Sequence, residues 1–286
     1  MTIEYFQKGF NYGQDGPGNR LVYHLAGCNM RCPWCSNPEG MAAGRAGNRR
    51  ETVEEIAEAV LSARPMFFDG GGLTLTGGEA TLQLDAVKEL LTLVRAAGVD
   101  TAGVHVAGVQ TMGIRAAGVH TADIHTTDVQ TAGVHEAGVR AADVHTAIET
   151  NMTSPRLPEL MPLLNLLIAD FKHPDSEAHL RFTGVSNEQA LINLAYAAAS
   201  EVDLLIRIPL IHGVNDDDAT LSGFLEALAP FAGRARVEVL SYHEYGKDKW
   251  KTLGLSYRME DAFLPKGRAE TLEKMLKDAG LDTVRT

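Results

Sequence analysis

Six short β-rich runs alternate with helical stretches along this chain, and chemically distinctive residues cluster where those runs end. The runs lie at about 21–25, 73–76, 145–149, 166–169, 203–210 and 236–240. Such alternation argues for an α/β fold with a parallel sheet and right-handed crossovers. Cys28, Glu79, Glu149, Asp170, Lys172, Arg207 and His243 all fall at or just beyond the C-terminal ends of the runs. A parallel β/α barrel gathers its ligands at that end.

The helical stretches carry local signals. Thr52 and Glu55 form a capping box for a helix from Val53 to about Arg64, with Ile56, Val60 and Leu61 on one face. A second apolar helix surrounds Val87 to Val94. Residues 176–200 read as mostly helical, with Ser186-Asn187-Glu188-Gln189 as a start signal. Further helices are expected at 219–228 and 266–279. Residues 1–20 show only a dense turn, Gln14-Asp15-Gly16-Pro17-Gly18.

A length of 286 residues suits one α/β domain or two smaller ones. The net charge of −11 argues against a nucleic-acid surface. The N-terminus lacks the pattern of a signal peptide, and no apolar run is long enough to span a membrane. A cytoplasmic protein without membrane or nucleic-acid partners, and monomeric, is expected.

All three cysteines stand within eight positions, as Cys28-x3-Cys32-x2-Cys35. Iron–sulfur clusters usually take four thiolates, so three would leave one iron open, as a catalytic centre requires. A zinc site completed by His24 would use the same residues. A disulfide fits less well with an odd count. The later run Leu75-Thr76-Gly77-Gly78-Glu79 combines glycines, which let a ligand approach the backbone, with a carboxylate suited to an ammonium group.

The cysteine spacing, with Trp34 just before the last thiol, resembles the radical S-adenosylmethionine (radical SAM) superfamily. Within it the chain resembles the activating enzymes of glycyl radical enzymes. The matching pieces are Asp15-Gly16-Pro17-Gly18, the cysteine loop with Ser36-Asn37-Pro38, Leu75–Glu79, Glu149-Thr150-Asn151, Asp170-Phe171-Lys172, Arg207-Ile208-Pro209 and Tyr242-His243-x-x-Gly246-Lys247-x-Lys249-Trp250. Ala80 stands where that family commonly has proline, Met152 where glycine often follows Thr-Asn, and Glu149 where many relatives carry aspartate.

The resemblance implies a partial (β/α)6 radical SAM barrel, open at one side for a macromolecular substrate. It implies a [4Fe–4S] cluster on Cys28, Cys32 and Cys35, with S-adenosylmethionine chelated at the free iron. One electron from the cluster would cleave the sulfonium, giving methionine and a 5′-deoxyadenosyl radical. Trp34 and Asn37 would border the cofactor, and Gly77, Gly78 and Glu79 would hold the methionyl amino group. Glu149 and Asp170 would flank the methionyl carboxylate through a monovalent cation, because bare carboxylates would repel it. Lys172, Arg207 and His243 are further cofactor contacts on this reading, with a rim ion pair as the alternative for Arg207. Asp15–Gly18 would lie near the mouth. The substrate would be a glycine of a partner glycyl radical enzyme, and the electron donor a flavodoxin or ferredoxin. The rival readings are a radical SAM enzyme acting on a small molecule or peptide, and a non-catalytic scaffold.

Between the barrel parts expected at 1–96 and 147–286 lies a five-residue repeat, 97–146. Ten units of the form Ala-Gly/Asp-Val/Ile-x-x carry an apolar third position each time, from Val99 to Val144. A step of five fits neither helix nor strand and resembles pentapeptide-repeat proteins. Stacking would bury a core that no single unit could bury. The expectation is a short β-solenoid-like insertion between a helix and the third strand, against a loop or irregular helix. His105, His120, His125, His135 and His145 are read as solvated products of duplication. Lengthening such a connection tenfold costs only about 2 kcal/mol of closure entropy.

Overall fold

The computed structural model describes residues 1–99 and 144–285. In chain order the elements are β1 (Thr2–Tyr12), β2 (Asn19–Leu25), β3 (Arg49–Thr52), α1 (Val53–Ser62), β4 (Gly72–Gly77), α2 (Leu84–Val99), β5 (His145–Thr150), β6 (Leu166–Asp170), α3 (Ser176–Thr183), α4 (Glu188–Ala199), β7 (Asp203–Leu210), α5 (Asp218–Leu228), β8 (Ala235–Ser241), α6 (Lys247–Thr252), α7 (Arg268–Asp278) and β9 (Asp282–Thr283). They form one sheet in the order β3-β1-β2-β4-β5-β6-β7-β8-β9. The six central strands from β2 to β8 are the expected parallel set.

Side chains sort by strand parity. Leu21, Tyr23, Leu25, Leu73, Leu75, Ile148, Leu167, Leu204 and Ile206 join the helices in the main core. The alternate set, Ala147, Leu166, Ile168 and Leu205, forms a small separate cluster on the other face. That face also carries Thr76, Glu149 and Arg207, which bond to one another. The strands therefore enclose an interior that is apolar around that cluster and polar around Glu149, and the sheet's edges at β3 and β9 leave the barrel partial.

One sequence expectation is corrected and another is sharpened. The chain does not begin with the 21–25 strand, because β1 pairs antiparallel with both β2 and β3. Gln7, Lys8 and Gly9 interrupt the apolar pattern of β1 because that stretch is exposed. The 176–200 helix is two helices: Gly184, at φ +87°, ends α3, and Asn187 starts α4 while its amide donates to the carbonyls of His173 and Pro174. The capping box at Thr52 and Glu55 is present in both directions.

The repeat meets regular structure at both edges, with α2 running through Val99 and β5 opening at His145. Val144 is buried in the main core. The solenoid expected over the rest of the repeat lies outside the described residues.

Candidate active site

One pocket at the C-terminal ends of the strands brings together eleven of the thirteen expected site residues. Cys28, Cys32, Cys35, Trp34 and Asn37 come from the loop after β2, and Gly77 and Gly78 from the end of β4. Glu149, Asp170, Lys172 and His243 come from the ends of β5, β6 and β8. Sequence reasoning passed over Met30 and Ile211, which also line it, as does Tyr242, named from the sequence as a motif residue but given no role.

The cysteine loop is clamped from two sides. Gly27 N–H donates to Gly40 C=O at 2.8 Å, and Cys28 N–H to Met41 C=O at 3.2 Å. Opposite, Gly78 N–H donates to Leu25 C=O at 2.8 Å, and Glu79 N–H to Gly27 C=O at 2.7 Å. This packing explains the paired glycines. A Cβ on Gly77 would meet Leu25 N at 2.5 Å, and one on Gly78 would meet Gly27 O at 2.2 Å. Close approach of protein backbone, as well as of any ligand, demands glycine here.

Glu79 lies behind the pocket wall, 1% exposed. Its Oε1 accepts from Thr81 N–H, the Thr81 hydroxyl and the Thr150 hydroxyl, and its Oε2 accepts from Asn151 N–H at 2.8 Å. Its carboxylate thus knits the β4 turn to the β5 turn. The β5 turn contains Met152 at φ +65°, with its carbonyl held by the Asn193 amide at 2.7 Å. Glycine would adopt that left-handed backbone without strain, so the methionine is a local cost offset by tertiary packing.

Arg207 also stands outside the pocket lining. It donates to Glu149 and Glu238, each at 2.9 Å, and to the Gln14 carbonyl. Glu149 accepts as well from the Thr76 hydroxyl. Burial raises the Glu149 pKa, but Arg207 and Thr76 outweigh it and hold the carboxyl below its usual range. Lys172 sits 2.8 Å from Asp170. Burial opposes its charge, yet Asp170 and the nearby thiols keep Lys172 firmly protonated. Burial and Glu149 push Asp170 up despite that lysine.

The Asp15–Gly18 turn is not at the pocket mouth. It precedes β2 and so enters the barrel from the N-terminal end, where Thr74 donates to the Asp15 carbonyl. Arg20, fully buried, secures the turn through Thr74 and the carbonyls of Pro17, Leu73 and His145. Burial and Glu149 raise the Asp15 carboxyl to about 6.

Burial pushes Cys32 up to about 12 and Cys35 to about 11, and raises Cys28 as well. Three buried thiolates need a cationic centre, which would displace their protons on binding. Among the described residues, no three His, Cys, Asp or Glu side chains close around one point. The thiols instead share a pocket wall, which fits a multi-iron cluster ligated at separate corners.

The sequence profile of the radical SAM superfamily matches residues 22–223. The chain belongs to the radical SAM superfamily. Membership implies a [4Fe–4S] cluster and S-adenosylmethionine as cofactors, and the Cys-x3-Cys-x2-Cys pattern of the family is present. This radical SAM protein is 29% identical to the pyruvate formate-lyase-activating enzyme of Staphylococcus aureus over 256 residues, covering 89% of this chain and 87% of the relative. Among solved structures it resembles a radical SAM methyltransferase from Sphaerobacter thermophilus, with a TM-score of 0.58 at 14% identity over 96% of this chain and 67% of that one. Streptococcus suis SuiB bound to precursor peptide SuiA gives a TM-score of 0.56 at 12% identity, over 92% and 48%. These two likenesses concern the fold. No described helix is long and apolar enough to cross a membrane.

Proposed function

We propose that this radical SAM enzyme is an activase that abstracts a Cα hydrogen from one glycine of a partner glycyl radical enzyme. The observation that carries the reading is the 29% identity to the Staphylococcus aureus activating enzyme, spread over nearly the full length of both chains. The unclosed sheet, which leaves room for a protein segment to reach the interior, supports it.

When bound, the cluster and S-adenosylmethionine supply a one-electron cleavage that yields a hydrogen-abstracting adenosyl radical. The protein's part is placement. Cys28, Cys32 and Cys35 hold the cluster, with Trp34 and Asn37 beside it. The Gly77–Gly78 backbone would receive the methionyl amino group, with Glu79 fixing that turn from behind the pocket wall. Glu149 and Asp170 receive the methionyl carboxylate through a monovalent cation, with Lys172 balancing their charge. Arg207 orients Glu149, and His243 forms the rim. A glycine suits such a substrate, because a loop without a side chain at the reacting carbon can enter a narrow interior.

The test is anaerobic. The reconstituted protein, S-adenosylmethionine, a reductant and pyruvate formate-lyase are combined, and an organic glycyl radical is sought by electron paramagnetic resonance. A radical on the partner's glycine is expected. Cleavage of S-adenosylmethionine without any radical on that or another glycyl radical enzyme would remove the activase reading.

A further inference from the structure

The open edge of the sheet leads inward along a row of polar side chains. Strand β3 pairs with β1 only from Thr2 to Tyr5, so Gln7 and the residues after it have no strand on their outer side among the described residues. Gln7 stands opposite His24 on β2, and His24 stands opposite Thr76 on β4. Tyr23 and Leu25, on either side of His24, point into the main core. His24 therefore faces the barrel interior, as do Thr76 and its partner Glu149. The row starts at the exposed Gln7 and ends at Thr76 and Glu149 on the pocket wall.

His24 is the unusual member of this row. Its Nδ1 is buried and has no hydrogen-bond partner among the described residues. A buried polar atom left in that state is uncommon in a folded protein and calls for a reason. The ring is not loose, because Phe6 packs beside it with 5.7 Å between ring centroids. Burial lowers the His24 pKa against the opposing pull of Glu149. At pH 7 the imidazole is therefore neutral, with one nitrogen a donor and the other an acceptor.

We propose that His24, with Gln7 beside it, binds the backbone of the substrate segment that carries the reacting glycine. This inference rests on the activase reading of the enzyme. A glycine offers a protein nothing to recognise except its amide groups. A neutral imidazole and a primary amide each supply both a donor and an acceptor, which match a peptide C=O and N–H. Their position agrees with that role. The row begins where the unclosed sheet lets a protein segment in and ends beside the cofactor pocket.

Activation of pyruvate formate-lyase by the reconstituted full chain tests it, with glycyl radical formation followed by electron paramagnetic resonance at rising partner concentration. His24→Leu should raise the KM for the partner about three- to tenfold, the worth of one neutral hydrogen bond, and leave kcat within about twofold. Iron content and affinity for S-adenosylmethionine should stay native. His24→Gln, which restores a donor and an acceptor, should recover most of the loss. Gln7→Leu, at an exposed position, should raise the KM less and decides the matter where His24→Leu does not fold. A native KM in every leucine variant that folds would overturn the proposal. So would a weakened affinity for S-adenosylmethionine in His24→Leu, which would give the imidazole to the cofactor. A native chain that forms no glycyl radical on any partner fails at the earlier step, and removes the activase reading together with this inference.

Discussion

Arg207 and Glu149 are joined at 2.9 Å inside the barrel, and the same guanidinium reaches Glu238 at 2.9 Å on its other side. Both carboxylates and the arginine come from strands, so the geometry is set by sheet register. Removing one partner of a buried ion pair leaves an uncompensated charge, which typically costs about 3–5 kcal/mol. Arg207→Met should therefore lower the free energy of unfolding by that amount, read as a lower urea midpoint with an unchanged slope. A loss below about 1 kcal/mol would mean that water reaches these carboxylates.

Glu79 joins two turns through four accepted hydrogen bonds. Glu79→Gln should retain the cluster and lose about 1.5–3 kcal/mol of stability, since bonds to a charged group are worth that much. Affinity for S-adenosylmethionine should fall about tenfold to a hundredfold. Calorimetry on the folded variant checks the second effect. An unchanged dissociation constant would confine Glu79 to bracing the turns.

Cys32 is the most buried of the three thiols by exposed surface. Cys32→Ser should abolish both the cluster's visible absorption and reductive cleavage of S-adenosylmethionine, because a serine hydroxyl is a far poorer ligand for iron at neutral pH. Full activity in that variant, or stoichiometric zinc in the native protein, would refute cluster ligation here.

Much of this site was legible because its residues sit in contiguous motifs at strand ends, where parity and position alone bring them together. The capping box at Thr52 was legible for the same reason, being complete within four residues. Contacts between distant segments were not. Arg20 looks like an ordinary strand residue, yet its partners come from 17, 73, 74 and 145. The glycines at 77 and 78 were legible as close approaches, but not that neighbouring backbone makes the approach. The hold of Trp250 on Cys35 spans 215 residues of sequence and leaves no local trace.

Asp15 gives the chain a pH dependence of defined sign. Burial and the neighbouring Glu149 raise its carboxyl from 3.8 to about 6. A group that binds its proton more tightly when folded adds stability below about pH 4, and that stability is lost as pH rises through about 6. Because Glu149 interacts with it, the titration belongs to the pair. Asp15→Asn keeps an oxygen for the Asn11 amide and removes the charge. Between pH 4 and 7 the variant should lose this component of the slope, and at pH 7 it should exceed the native chain by up to roughly 2–3 kcal/mol. Urea titrations at pH 5 and 7 decide it: a variant less stable than native at pH 7 would show that the ionised carboxylate stabilises the barrel.

The final prediction concerns the repeat. Helix α2 runs through Val99, and β5 opens at His145 with Val144 already in the core. A connection from a helix to a following parallel strand enters at the strand's N-terminal end, whereas the thiols and the cofactor-facing residues gather at the C-terminal ends. Removing residues 100–143 should therefore leave the pocket intact, provided Val144 is kept to fill its place. Deleting Val144 as well would empty a buried site, at about 2–4 kcal/mol. The shortened chain should bind the same iron and cleave S-adenosylmethionine within about threefold of the native rate, and a short glycine–serine bridge at the junction should remove any strain from the closure. An iron-loaded, folded deletion variant with no cleavage activity would show that the repeat takes part in the chemistry after all.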